Sequence, residues 1–580
     1  MSADQNDLWV FRDARKTVSR SSLLGDLHSA LRRLFDDPQN RQLYYNALIQ
    51  TGELESALAD SNSESTESLA DLTDALAFAA FGGGLYKVKQ LANALDHIAC
   101  PNQLITSPSE GFAYYALNPL DIATPAQESV APHRPAAVIG IRSIGTTLSA
   151  VATAALISNG YRAARITVRP EGDPYDRVLR FTPPQSDWIK KLKENAAQFL
   201  VVDEGPGRSG STFLSVGEAL ISSGIPAEDI MLLGSREPDL NTLCAQEAVS
   251  RWKKFKFRTF SPDTWNGFRD CTYIGGGEWR RHFLSGETSW PACWPQMERL
   301  KFLSQDRSQL FKFDGLGPVG DAVRNRARSL AAAGFGCAIE DAGDGFSRYP
   351  VLNGRSLHFD DVSESILARI ARYCAFRSAE FRVEHGTPKP LPKMLRVNLL
   401  REFEWEIDFD SGLLRPQNMV VVDGRMNPHE WLGTANGRLL KTDGATHGDD
   451  HFFPGPTDIA WDIAGAAVEW DLHPDALDFL LSRYRLLTGE DLRQRLPLFL
   501  LTYAVFRLAW CKMALPTVAG TAEEFRLAQE YRYYRKQIET QLPQGIDAVR
   551  KDLRTTPRRD KSGINACQAP RGIRSVSVSN

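Results

Sequence analysis

The sequence predicts an α/β fold for the N-terminal half, built on a doubly wound and mostly parallel sheet, and an α+β fold of two lobes for the C-terminal half. In the N-terminal half, residues 136–141 and 199–202 are apolar runs of strand length. Each run leads into a loop of small residues and then into an amphipathic helix, a repeat that is typical of parallel sheets. In the C-terminal half, the Asn436-Gly437 turn between two apolar runs predicts a hairpin, and the residues after it are mainly helical.

Length and composition indicate a soluble protein of at least two domains. A chain of 580 residues is too long to fold around one ordinary hydrophobic core. Its 43% hydrophobic and 24% charged residues are usual proportions for globular proteins. A net charge of −3 predicts no specific binding to nucleic acid and no attraction to a membrane surface. The most apolar run, 496–506, is shorter than the ~20 residues that cross a membrane, so we expect a buried helix. The polar N-terminus and the eight cysteines, none in a close pair, predict a cytoplasmic protein with reduced thiols.

The segment 199–212 carries the most specific functional pattern. Asp203 and Glu204 end an apolar strand, at the edge of an open α/β sheet where ligands bind. The loop after them offers backbone N–H groups beside a helix N-terminus, which is a typical anion site. Two acids that can accept from vicinal hydroxyls, next to a loop that can bind a phosphate, predict a ribose 5-phosphate site. The alternative is a strand–turn–helix connection that binds no ligand. The predicted cradle residues are Arg208, Ser209, Gly210, Ser211 and Thr212.

Two upstream loops suit the same site. The strand 136–141 runs into a loop of small polar residues, and the next strand, 164–168, runs into the loop 169–177. The second loop has arginines for an anion and Gly and Pro for bending. The predicted anion-binding residues of the first loop are Arg142, Ser143, Gly145 and Thr146, and Arg177 is the predicted catalytic residue of the second.

In order and spacing, these three segments resemble the motifs of type I phosphoribosyltransferases. The resemblance implies phosphoribosyl pyrophosphate, or a related ribose phosphate, as ligand, and transfer or removal of the group at its anomeric carbon. Asp203 and Glu204 would hold the ribose hydroxyls or a bridging magnesium ion, and the loop 169–177 would close over the pyrophosphate. The loop after the acids is about one residue longer than in the family, and Gly207 stands where the family often has Asp or Thr.

Trp279 and Arg280 follow a run of three glycines. In the family, residues beyond the ribose-phosphate loop often cover the acceptor, so Trp279 would stack on a ring and Arg280 would meet an anion. The alternative is a glycine turn with an aromatic side chain packed on it.

The second half contains a lysine between two phenylalanines, Lys312, in a predicted strand. A buried ammonium needs an anion. Further along the chain, 419–422 is a predicted strand that leads into an acidic loop, and Asp443 follows the hairpin. A magnesium nucleotide would supply both the anion and the cation that these groups require. The loop 446–451, rich in His and Asp, is interpreted as a solvated loop at this cleft rather than as a metal site.

This order resembles small-molecule kinases of the aminoglycoside phosphotransferase type. The resemblance implies ATP bound through Lys312, magnesium at Asp443, and a later structural aspartate at Asp462. In the catalytic loop, however, the usual base falls on Arg425, which does not deprotonate. The usual metal-binding Asn falls on Glu430.

Two replacements are expected in that loop. Glu430 would complete the magnesium site with Asp443, because hard cations accept any carboxylate oxygen. Asp423 would serve as a displaced catalytic base. The sequence thus predicts a kinase-like C-terminal domain whose chemistry differs from that of the family.

Three regions are predicted: 1–298 is a phosphoribosyltransferase-like domain with an N-terminal helical hood, 299–545 is the kinase-like domain, and 546–580 is a disordered basic tail. The expected function is a two-domain transferase of nucleotide metabolism. The alternative is a non-catalytic sensor of nucleotides, because both halves depart from their families near the catalytic positions, at Gly207 and Arg425.

Overall fold

The structure is a computed structural model that describes residues 10–11, 15–63, 65–207, 209–240, 243–260, 267–287, 289–384, 386, 388–449 and 452–549. Arg208 of the predicted cradle and residues 550–580 of the predicted tail lie outside these ranges. Residues 546–549 belong to the last helix.

Strands and helices alternate in the first half, and helices dominate the end of the chain. The strands are β1 (Lys16–Ser19), β2 (Gln103–Thr106), β3 (Ala136–Ile141), β4 (Ala163–Val168), β5 (Glu171–Asp173), β6 (Asp176–Val178), β7 (Gln198–Val202), β8 (Ile230–Gly234), β9 (Lys256–Thr259), β10 (Thr272–Tyr273), β11 (Lys301–Leu303), β12 (Gln309–Phe313), β13 (Glu340–Gly343), β14 (Phe346–Pro350), β15 (Gly354–Ser356), β16 (Trp431–Thr434) and β17 (Leu439–Lys441). The helices are α1 (Arg20–Asp36), α2 (Arg41–Asp60), α3 (Thr66–Phe78), α4 (Tyr86–Ala92), α5 (Glu110–Tyr114), α6 (Ala123–Glu128), α7 (Ile144–Ser158), α8 (Pro183–Glu194), α9 (Ser211–Ser222), α10 (Ala248–Trp252), α11 (Trp279–Phe283), α12 (Gly317–Ala332), α13 (Glu364–Glu380), α14 (Leu391–Phe403), α15 (Ala460–Glu469), α16 (Pro474–Thr488), α17 (Leu496–Ala514) and α18 (Ala522–Val549).

The N-terminal half is organised around a five-stranded parallel sheet of order β4-β3-β7-β8-β9. All six residues of β3 are buried, as expected for a strand covered on both faces. Helix α7 and the hood, helices α1–α4, share a hydrophobic core with one face of the sheet, and α8 and α9 share another core with the opposite face. The predicted parallel sheet is confirmed, and its strands lie within one or two residues of the predicted positions.

The strand order reverses between β3 and β7, which is the switch point of the sheet. The chain passes from β3 to β4 on one side and later returns to place β7 on the other side. In open α/β sheets this is where the loops diverge and leave a crevice for ligands. The loops after β3 and β7 carry the predicted site residues.

The C-terminal half contains a second, antiparallel sheet of order β10-β11-β12-β14-β13 and a small sheet of order β15-β16-β17. Strand β10 pairs with β11, so the antiparallel sheet extends across the predicted boundary at 298/299. The Asn-Gly hairpin is confirmed by the pairing of β16 with β17.

The predicted strand 419–422 is wrong. Val420 makes only isolated bridges to Arg382 and Thr457. Val420 and Val422 are fully buried in the core of the C-terminal half. The run is therefore apolar because it crosses a core, and a short buried run without period-2 alternation does not distinguish a strand from other buried segments.

Helix α17 contains the run predicted to be a buried helix. By length and composition, Leu496–Thr517 is the single candidate membrane span among the described residues, and 78% of its most apolar window is buried inside the protein. Its side chains belong to the same hydrophobic core as those of α15 and α18. The prediction of a core helix is confirmed.

The two halves contact each other through α5 and the segment before α12. The backbone N–H of Leu316 donates to the carbonyl of Phe112 at 2.9 Å. The guanidinium of Arg299 donates to the carbonyl of Ala113 at 3.2 Å. Helix α5 is therefore tied to the end of β12, the strand that carries Lys312.

The start of the described chain also packs against the C-terminal half. Val10 and Phe11 are buried in its hydrophobic core. The ring of Phe11 stacks on Phe506 with the centroids 6.1 Å apart, and the ammonium of Lys389 lies over Phe11. Residues at both ends of the predicted first domain thus contribute to the second half.

We expect Arg165 to be essential for the stability of the hood. Its guanidinium, on β4, pairs with Glu55 of α2 through bonds of 2.8 and 2.9 Å and with Asp74 of α3 at 2.5 Å, and its side chain is 4% exposed. Arg165→Met should lower the free energy of unfolding by about 3–5 kcal/mol, because it leaves the Glu55 carboxylate buried without a partner. Urea denaturation measures this, with the exposed neighbour changed in Arg162→Met as control. Equal midpoints for the two variants would contradict the prediction.

Candidate functional site

The first turn of α7 lies against the end of β7, which brings two of the predicted loops together. A Cβ atom on Gly145 would lie 2.6 Å from the carbonyl oxygen of Val202. Only glycine permits this approach, so Gly145 has a packing role at the switch point. Asp203 and Glu204 follow Val202 directly, and they therefore lie beside the loop 142–146.

Asp203 and Glu204, the acid pair, lack an ion-pair partner within 4 Å among the described residues. The backbone N–H of Glu204 donates to Oδ1 of Asp203 at 2.8 Å, and the Glu204 carboxylate accepts from the backbone N–H of Gly111 in α5. Burial raises the pKa of Asp203 to about 7. Burial, helped by the nearby Glu110 and Asp203, raises the pKa of Glu204 to about 8. These carboxyl groups need protons, a cation or hydroxyl donors to offset their desolvation.

Arg142 and Arg169, on the loops after β3 and β4, share one carboxylate of the hood. Asp60, at the end of α2, accepts from Arg142 at 3.0 Å and from Arg169 at 3.1 and 2.5 Å. Arg169 also donates to the carbonyl of Arg142 at 2.9 Å. Two arginines that converge on one carboxylate form an anion site, and here the anion belongs to the chain itself.

Ser143 and Thr146 shape the loop between these arginines and α7. Ser143 has a φ of +98°, and its backbone N–H donates to Oγ of Ser56 at 3.1 Å. Such a φ is strained for a residue other than glycine and occurs mainly at functional sites. The hydroxyl of Thr146 is buried and has no hydrogen-bond partner among the described residues.

The predicted phosphate cradle begins helix α9 and contacts the loop 169–177. Gly210 has a φ of +67°, Ser211 is the first residue of α9, and Thr212 lies in its first turn. The Ser211 hydroxyl lies 3.0 Å from that of Ser209 and donates to the carbonyl of Pro174 at 2.8 Å. The loop 169–177 contains the antiparallel hairpin β5–β6, so this hairpin is closed onto the cradle.

Arg177 lies on β6 of this hairpin. Its guanidinium donates to the carbonyl of Pro170 at 3.2 Å. Burial, with the nearby Arg169, lowers its pKa, whereas Asp203 raises it. Arg177 and Asp203 therefore interact electrostatically across the crevice.

Trp279 and Arg280, the predicted acceptor residues, lie against the C-terminal half. The indole ring of Trp279 stacks on His429 with the centroids 6.0 Å apart and donates to Glu298. Arg280 is buried and pairs with Glu523 of α18 at 3.0 Å. These contacts place the pair at the junction between the halves, and its acceptor role stays a prediction.

The predicted ATP-binding lysine of the C-terminal half has an internal partner. Lys312 pairs with Asp443 at 2.5 Å, and Lys301, directly opposite on β11, pairs with the same carboxylate at 3.3 Å. Burial alone would raise the pKa of Asp443, but the two ammonium groups hold it well below its usual range. The anion that Lys312 requires is therefore Asp443.

Asp423 and Glu430 are also neutralised internally. Lys441 Nζ lies 2.8 Å from Glu430 and 3.3 Å from Asp423, and the side chains of Lys441 and Asp423 have no exposed area. Burial alone would raise the pKa of Asp423, but Lys441 lowers it below its usual range. Asp462 orders this loop, since it accepts from the backbone N–H of Asp423 and of Gly424 at 2.8 and 3.0 Å.

Magnesium fits one predicted site and not the other. In the N-terminal half, Asp203 and Glu204 have no cationic side chain within 4 Å among the described residues. Their carboxylate oxygens are the donors that magnesium prefers. In the C-terminal half, Glu430 pairs with Lys441 and Asp443 pairs with Lys312, so the two acids do not form the predicted site. The ligand-type side chains that do converge there are Asp423, Glu430 and His447.

Three important residues did not appear among the predicted site residues. No sequence pattern indicated Asp60, because it lies 82 positions from its partner Arg142. His447 was recognised only as part of a loop interpreted as solvated. Lys441 follows two leucines in a predicted strand, so the reasoning applied to Lys312 would have identified it as a buried lysine that needs an anion.

Comparison with known proteins finds kinase folds among solved structures. A choline/ethanolamine kinase family protein from Mesorhizobium loti is 15% identical, and the match covers 44% of this chain and 90% of that chain with a TM-score of 0.31. A choline kinase from Streptococcus pneumoniae is 12% identical, and the match covers 42% of this chain and 89% of that chain with a TM-score of 0.30. An aminoglycoside phosphotransferase from Alicyclobacillus acidocaldarius is 11% identical, and the match covers 43% of this chain and 90% of that chain with a TM-score of 0.29. No protein-family model and no curated protein matches the chain. Likenesses this distant establish no activity or ligand.

We expect the acid pair to make stability depend on pH. Raised pKa values mean that the folded state binds more protons than the unfolded state between roughly pH 4 and pH 8, so stability falls as the pH rises through this range. Asp203 and Glu204 are partly exposed, so water screens their charges. The loss should therefore be about 1–2 kcal/mol, far below the ~1.4 kcal/mol per pKa unit of a fully desolvated group. Thermal unfolding from acidic to basic pH tests this, with Asp203→Asn/Glu204→Gln as the comparison. If both proteins lose stability equally, the acid pair is not responsible.

Proposed function

We propose that the N-terminal half binds phosphoribosyl pyrophosphate, or a related ribose phosphate, at the switch point of its parallel sheet. The observation that carries this proposal is the acid pair: two adjacent carboxyl groups, desolvated and without an ion-pair partner among the described residues, at the end of the central strand. The ribose hydroxyls would donate to these carboxylates and offset their desolvation.

The surrounding loops suit the charged ends of such a ligand. The N-terminus of α9, with Ser209 and Ser211, offers N–H and O–H donors for the 5′-phosphate. Arg142 and Arg169 offer guanidinium groups for the pyrophosphate. Magnesium, held by Asp203 and Glu204, would supply charge neutralisation for the pyrophosphate as it leaves.

Transfer at the anomeric carbon would require water to be kept out. The hairpin β5–β6 already contacts the cradle through the Ser211–Pro174 hydrogen bond. It also brings Arg177 to the acid pair, where a positive charge would stabilise the pyrophosphate that develops during transfer. A lid of this kind sequesters and orients the reactants.

A second candidate function, a non-catalytic sensor, is favoured by a specific observation. The groups expected to do chemistry in the C-terminal half are consumed by internal ion pairs: Lys312 with Asp443, and Lys441 with Asp423 and Glu430. Asp423, the expected base, also accepts a hydrogen bond from Tyr373. We therefore propose no phosphoryl-transfer step for this half. We propose only that this half binds ATP, through its phosphates at Lys301 and Lys312. The phosphates would compete with Asp443 for these two ammonium groups.

Binding and turnover can be separated by experiment. Asp203→Asn/Glu204→Gln should weaken binding of phosphoribosyl pyrophosphate at least tenfold, because the amides lose the charge that attracts magnesium and accepts from hydroxyls. Isothermal titration calorimetry with magnesium measures this. The exposed Asp187→Asn serves as the matched control and should bind like the wild type. Absence of binding to the wild type would reject the proposal, and magnesium-dependent pyrophosphate release with pooled nucleobases would reject the sensor.

We expect Asp60 to compete with the ligand for Arg142 and Arg169. Asp60→Asn keeps the shape of the side chain but removes its charge, so phosphoribosyl pyrophosphate should bind about tenfold more tightly, a difference of ~1.4 kcal/mol. Calorimetry measures the change, with the exposed Glu67→Gln as control. Weaker binding by Asp60→Asn would mean that Asp60 holds the arginines in place and does not compete with the ligand.

A further inference from the structure

Lys441 contacts two members of the one group of metal-ligand-type side chains found among the described residues. One ligand atom each from Asp423, Glu430 and His447 lies within 4.8 Å of the others. The Lys441 ammonium is 2.8 Å from Glu430 and 3.3–3.4 Å from the two carboxylate oxygens of Asp423. His447 Nδ1 is 4.0 Å from Asp423.

The ammonium has a complete set of acceptors. A lysine has three N–H donors. Nζ of Lys441 contacts Glu430, Asp423 and the carbonyl of Thr442, the last at 2.9 Å. Its position is therefore that of a fully coordinated cation.

The fold fixes the lysine at this place. Lys441 is the last residue of β17 and stands opposite Trp431, which directly follows Glu430. The backbone N–H of Thr442 donates to the carbonyl of Glu430 at 2.7 Å. The hairpin register thus holds residues 430 and 441 side by side, which keeps the buried ammonium next to the anion that it needs.

The charges of the cluster are already balanced. Arg425 lies 3.4 Å from Glu430, so two acids face two bases. A divalent cation placed here would add two positive charges to a buried neutral cluster and would meet the ammonium at close range. Repulsion of this kind is strong in a region that excludes water.

We propose that the Lys441 ammonium takes the place of a divalent cation at Asp423, Glu430 and His447, so that the C-terminal half keeps this loop in order without any metal. Together with Arg425 the lysine balances the two carboxylates, and it links the loop 423–430 to strand β17. This inference does not depend on the ligand of the N-terminal half.

Manganese binding, measured by electron paramagnetic resonance, tests the proposal. The full-length chain is used with Asp203→Asn/Glu204→Gln, which removes the acid pair as a second source of bound metal. This parent should bind no manganese at the cluster. Adding Lys441→Ser should create a site at least tenfold tighter than any in the parent, and adding Glu430→Gln to that variant should abolish it.

Lys441→Arg is the matched control, because it keeps the positive charge and should leave the cluster without metal. Lys441→Ser with no gain of manganese would overturn the proposal, since the acids and His447 would then not form a metal-competent cluster. If Lys441→Ser does not fold, as judged by circular dichroism, manganese binding by the parent protein still tests the proposal. Manganese bound by the parent and lost on Glu430→Gln would show that the lysine does not replace the metal.

Discussion

Buried charges in this protein must be neutralised, and the two halves meet this requirement differently. In the C-terminal half, every acid of the candidate site has a lysine or arginine within 4 Å. In the N-terminal half, the acid pair has no such partner among the described residues, whereas the arginines beside it share Asp60. A site that is already neutral gains little from a charged ligand, but desolvated acids gain much from hydroxyl donors or a cation. This difference is why we place the ligand in the N-terminal half.

The hood is part of the candidate site as well as a cover for the sheet. Helix α2 contributes Asp60 to the arginines and Ser56 to the backbone of Ser143, and it is held to β4 by the pair between Glu55 and Arg165. The same helix therefore carries a structural ion pair at one turn and, about one turn later, the carboxylate that Arg142 and Arg169 share. Movement of α2 would change the anion site directly.

Much of the framework could be predicted from the sequence, because it depends on local patterns. Apolar runs of strand length followed by glycine- and serine-containing loops identified β3, β4 and β7, and the Asn-Gly turn identified the hairpin of β16 and β17. Residues 419–422 could not be interpreted correctly, because burial produces the same apolar run with or without strand pairing. The partners of the charged side chains could not be predicted either. Asp60 and Lys441 pair with residues that only the fold brings close to them. We inferred correctly that Lys312 and Glu430 need counter-ions, because buried charges must be balanced. The sequence does not show that Asp443 and Lys441 of the same chain supply them.

Helix α5 has only five residues, yet its backbone meets both candidate sites. Gly111 donates to Glu204 of the acid pair, and Phe112 and Ala113 accept from Leu316 and Arg299 next to the strand of Lys312. A ligand that repositions Glu204 therefore acts on the same short helix that anchors the end of β12. Thermodynamic linkage then requires reciprocity: whatever free energy an occupant of the first half transmits through α5, an occupant of the second half transmits back in equal amount.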